Sequence, residues 1–152
     1  MAYDSAQARR DLLDEVGDAT DQLGAALAAL TEAFEGLDDY NAERLEEQLF
    51  RPVQMAYGRA RRTHSEFAGR HGLPNRSFAP AIPGHPSQGA RGFIDGAVTA
   101  VVRADATISQ LQDSMRPVEV GDAELRAGLS EVRRLIGDVP RRASELLRGL
   151  GR

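Results

Sequence analysis

By type, the residues best suited to acid–base or metal chemistry near neutral pH are the three histidines, His64, His71 and His85. His64 and His71 fall seven apart on a helical pattern and share a face with Tyr57, yet they stand about 10 Å apart along the axis. One ion cannot bridge both. The residues three before the histidines are Arg61, Ala68 and Ile82. The Glu-x-x-His pair that di-metal helical bundles carry on their inward faces is therefore missing. Asp14 and Asp18 have a four-residue spacing used by some metal-binding helices, but a helix this acidic produces it by chance. The chain has no cysteine, which removes thiolate catalysis, disulfides, zinc–thiolate and iron–sulfur ligation, and covalent haem attachment together. Gly89-Ala90-Arg91-Gly92 continues a helical pattern and follows no strand, so it is not a phosphate loop. The expectation is a protein with no catalytic set, no metal site and no cofactor. In that reading His64 borders the core, and His71 sits at a helix C-terminus, where a charged imidazole suits the dipole.

Binding is the other chemistry on offer. Phe50, Tyr57, His64 and Phe67 follow one another along a single helical stretch beside Pro52. A helix bent by that proline would open space next to it. Those four side chains are the candidate lining of a small apolar pocket.

The elements that must position these residues are long helices. Apolar residues recur every three then four positions in Leu13, Val16, Thr20, Leu23, Leu27, Leu30, Phe34, Leu37, again from Ala90 to Met115, and again from Leu125 to Leu150. This rhythm is the seam of helices packed at shallow angles. It predicts an all-α fold, a single-domain antiparallel four-helix bundle in up-down-up-down order spanning 1–152. The first helix is expected to stop at Gly36 and the second to be capped by Asp38 or Asp39. Leu45, Leu49 and Val53 break the rhythm with two steps of four, and Pro52 lies at the break. A kink or π-bulge near 48–52 is the expected consequence. The second helix should end near His71-Gly72. Residues 72–86 hold four of the prolines and no helical period, so they form one long loop. Ser87 is the expected cap of the third helix, which should end near Arg116 before Pro117. Asp122 should cap the fourth, and Pro140 should kink it. Stripes of small residues on the third helix (Ala90, Ala97, Ala104; Gly92, Gly96, Ala100) predict a close neighbour. An alternative topology uses the long loop as a crossover, placing the second and third helices parallel.

Every basic residue is arginine, which reflects coding bias more than selection for forked contacts. The net charge of −4 argues against nucleic-acid binding. The polar opening Met1-Ala2-Tyr3-Asp4-Ser5 does not resemble a signal peptide, and no apolar run approaches membrane-spanning length. A cytoplasmic location with no membrane contact is expected. Under up-down-up-down order the bundle would have an acidic end and a basic end. The basic end, with Arg61, Arg62, Phe78, Arg141 and Arg142, would then be the surface for a protein partner or for self-association. The sequence thus favours a non-catalytic interaction protein first and a small-ligand binder second.

Overall fold

The computed structural model describes residues 5–79 and 89–150, and every regular element among them is helical. Four long helical segments pack together. The first is α1 (Ser5–Glu35). The second is α2 (Asp39–Leu45), continued through a π-helical turn at Glu46–Phe50 into α3 (Arg51–Arg70). The third is α4 (Gly89–Asp113). The short α5 (Arg116–Glu119) leads to the fourth, α6 (Ala123–Ile136) followed by α7 (Val139–Leu150). One apolar core runs through all four, from Leu12 to Leu146.

Local chemistry explains most boundaries. The Asp38 carboxylate accepts the Asn41 N–H at 2.8 Å, and the Asp122 carboxylate accepts the Leu125 N–H at 2.8 Å. Each satisfies a donor that the first helical turn leaves orphaned. Helix α1 ends beside Gly36 as expected, but through a tightened last turn in which the Gly36 N–H donates to Ala33 O. A left-handed glycine instead ends α3: Gly72, with the Leu73 N–H reaching back to Ala68 O at 2.9 Å.

The two prolines inside helical patterns act differently. Ahead of Pro52 the backbone takes up one extra residue as the π-helical turn, with the Arg51 N–H donating to Glu46 O. In an α-helix, positions four apart drift by about 40° per step. The π turn removes that drift, so Leu45, Leu49 and Val53 are all fully buried. At Pro140 the outcome is a break, where a kink was expected. The proline has no N–H for the carbonyl of Ile136, and α6 stops there. The buried series still continues in phase through Val139, Ala143 and Leu146. Helix α4 also ends earlier than Arg116, at Asp113. Met115 turns the chain with a φ of 68°, and Pro117 enters the first turn of α5. Of the small stripes on α4, Ala97 and Ala104 are buried, whereas Gly96 is exposed and faces open space. The expected cap Ser87, and Ile82 and His85, lie outside the described residues.

Contacts fix the direction of each segment. Gly17 lies beside His64 and Gly24 beside Tyr57, so α3 descends as α1 rises. Gly36 faces Ala90, and Glu15 pairs with Arg116 just beyond α4, so α4 also descends from the end where α1 finishes. Arg91 donates to Leu147 O and Arg133 to Asp105, while Gly128 faces Thr63, so α6 and α7 rise. Neighbouring segments are antiparallel, but their order along the chain is up-down-down-up. This corrects the up-down-up-down expectation in favour of the crossover alternative. The physical reason is reach. Residues 71–88 can extend roughly 60 Å, more than the ~37 Å length of α4, so they need not turn back at the end of α3.

Candidate functional site

The crossover makes the site. Tyr57, Arg61 and His64 occupy one face of α3, at positions four and then three apart, and that face looks toward α1. Two glycines on α1, seven apart, make room for it. A Cβ on Gly24 would stand 3.2 Å from the Tyr57 ring, and a Cβ on Gly17 would stand 3.7 Å from the His64 ring and 2.6 Å from the Arg76 guanidinium. Past Gly72 the chain climbs back along this face without helical structure. The Asn75 amide donates to Ser65 Oγ at 3.2 Å, and Arg76 pairs with Asp21 on α1. The Phe78 ring meets the His64 ring edge-on, with centroids 5.0 Å apart, and Arg76 stacks on Phe78 at 4.5 Å.

His64 is therefore sealed in, only 2% exposed, and its Nδ1 finds no hydrogen-bond partner. Burial lowers its pKa by stripping water from the cation, and Arg76 adds repulsion. Asn75, Asp14 and Asp21 pull the other way without prevailing. This corrects the reading of His64 as a residue at the core's border. The ring itself borders neither of the two openings on this face.

Above His64 the face opens into a recess of about 330 Å³ lined by Leu27, Phe50, Tyr57, Arg61 and Phe78. It abuts the π turn through Phe50. Arg61 lies over the Tyr57 ring at 5.3 Å. Arg61 and Phe78 also line a second, polar basin of about 670 Å³ with Arg62, Ser65, Asn75, Arg76 and Ser77. Neither Arg61 nor Arg62 has a carboxylate partner among the described residues.

The residues singled out from sequence are thus regrouped. Phe50 and Tyr57, two of the four expected lining residues, border the recess next to the π turn. Arg61, Arg62 and Phe78, expected at a basic end for a protein partner, join the same site. Phe67 does not: it is fully buried and meets the His71 ring at a tilt, with centroids 4.4 Å apart. Arg141 and Arg142 lie on α7 and pair locally, with Asp138 and, for Arg141, Glu145. They belong to no common patch with Arg61 and Arg62. The acidic and basic ends were built on up-down-up-down order and do not carry over to this one. Sequence reasoning missed Gly17, Gly24 and Arg76. The visible signal was two glycines seven apart inside a helix otherwise rich in alanine and leucine, where each costs about 1 kcal/mol of helix propensity relative to alanine.

The other histidine among the described residues, His71, lies 2.9 Å from Asp122 Oδ2, while the Arg70 guanidinium forks onto both carboxylate oxygens at 2.7 and 2.9 Å. Burial alone would raise the Asp122 pKa. Arg70, the Leu125 N–H and His71 outweigh it and hold the group well below the usual carboxylate range. With its lone pairs committed to these donors and to the cap of α6, Asp122 serves as a clasp between α3 and α6. Among the described residues no group of His, Asp or Glu is arranged to hold a metal ion, and no helix is long and apolar enough to cross a membrane. No family model matches the chain, and no curated protein or solved structure matches it either.

Proposed function

We propose that this protein is a non-catalytic binding protein and that its working site is the recess between α1, the π turn, α3 and the crossover. One observation carries the reading. Phe50, Tyr57, Arg61 and Phe78, drawn from separate stretches of chain, line a single opening next to the π turn. A π turn is a costly irregularity that recurs at functional sites, and here it sets Phe50 at the rim. The mixture of aromatic rings with a few polar groups suits a small, partly apolar molecule. The test is a ¹⁵N NMR titration of the chain with 1-octanol. Saturable shifts confined to residues 24–31, 50–61 and 76–78 are expected. Shifts scattered over the surface, or none, would contradict the proposal.

A second reading, contact with a protein partner or another copy, draws on Phe34, Tyr40 and Met55, which are 45%, 70% and 54% exposed. Concentration-dependent sedimentation that Tyr40→Ser abolishes would favour it.

A further inference from the structure

The polar basin beside the recess carries two arginines, Arg61 and Arg62, with no carboxylate partner among the described residues. Arg61, Arg62 and Arg76 line it, and among the described residues no acidic side chain does. Arg76 is the one already paired, with Asp21. That the cations are arginines means little in a chain with no lysine. That three of them converge on one opening, in a protein of net charge −4, is informative. Ser65 and Ser77 add hydroxyl donors at the same wall. Two unpaired guanidiniums match a dianion with several acceptor oxygens better than a single carboxylate, which would leave one cation uncompensated. The basin is contiguous with the apolar recess, because Arg61 and Phe78 border both.

We infer that the site takes a phosphate monoester, its phosphate in the arginine basin and its apolar body in the recess. This rests on the recess being a ligand site, as proposed above. A phosphate monoester carries close to two negative charges at neutral pH. The acidic remainder of the surface would repel a polyanion, so the ligand is a small molecule and not a nucleic acid.

The experiment is calorimetry on the full chain at pH 7.5 with three probes: octyl phosphate, 1-octanol and inorganic phosphate. Octyl phosphate is expected to bind at least ten-fold more tightly than either of the others. Arg62 borders only the basin, so Arg62→Gln should weaken octyl phosphate about ten-fold and leave octanol unchanged. Raising KCl from 50 to 300 mM should weaken octyl phosphate alone. Octanol binding as tightly as octyl phosphate would overturn the phosphate inference while sparing the recess. Absence of binding by both would sink the two together. Inorganic phosphate binding as well as octyl phosphate would overturn the monoester. Co-sedimentation with vesicles containing phosphatidic acid, with no binding of octyl phosphate, would move the phosphate to a lipid surface and overturn the small-molecule reading.

Discussion

At the scale of single residues, His64 is the most consequential. It is a polar side chain buried without a partner for Nδ1, closed over by Phe78 and Arg76. Its native pKa lies below 6.5, the value it regains on unfolding, so the unfolded chain binds this proton more readily than the native one. The sign follows from linkage: the contribution is fully favourable above about pH 6.5 and is lost as pH falls toward the native pKa. The melting temperature should therefore drop between pH 7.5 and 5.5. His64→Leu should flatten that slope, and a slope unchanged by the substitution would show that another group is responsible. The residue type was legible in the sequence, but its burial was not. That burial comes from Asn75 to Phe78, more than ten positions on, and depends on a chain path that no local pattern encodes. Phe67 shows the same gap in reverse. It reads as a plausible pocket aromatic on periodicity, yet it lies on the part of α3 that faces the core.

At the scale of elements, the π turn connects sequence to site most directly. Two successive steps of four (Leu45, Leu49, Val53) with a proline beside them announced an extra residue, and the structure has it at Glu46–Phe50. The caps Asp38 and Asp122 were legible for the same reason, since their chemistry is local. Pro140 was less so. Removal of one N–H breaks α6 from α7, while the hydrophobic ladder, blind to backbone bonds, passes through undisturbed. Deleting Gln48 should convert the π turn to regular α-helix, leaving Leu45, Leu49 and Val53 at α-helical spacing. We expect the variant to keep its helical circular dichroism, to change in stability by no more than about 1 kcal/mol, and to bind octanol several-fold more weakly because Phe50 is re-aimed. Unaltered octanol affinity would dissociate the π turn from the site.

At the scale of the whole molecule, one connection decides everything. Helical seams revealed how many long segments there are and which residues are buried, because burial follows period. They could not reveal order, because up-down-up-down and up-down-down-up bundles present the same seams and differ only in the path of one proline-rich segment. The charge split expected between the two ends was drawn from the first order and falls with it. The binding face arose with the second, since only a crossover lays Asn75, Arg76 and Phe78 against α1 and α3. The absence of cysteine makes this directly testable. A Cβ on Gly36 would lie 3.6 Å from that of Ala90, within the span of a disulfide. In a chain carrying Gly36→Cys and Ala90→Cys, mild oxidation should form an intramolecular disulfide in nearly every molecule, seen as the loss of two hydrogens in the intact mass with no dimer. If α4 instead began at the end where α3 stops, those positions would stand tens of ångströms apart. Free thiols, or bridges only between chains, would then contradict the crossover and the site built on it.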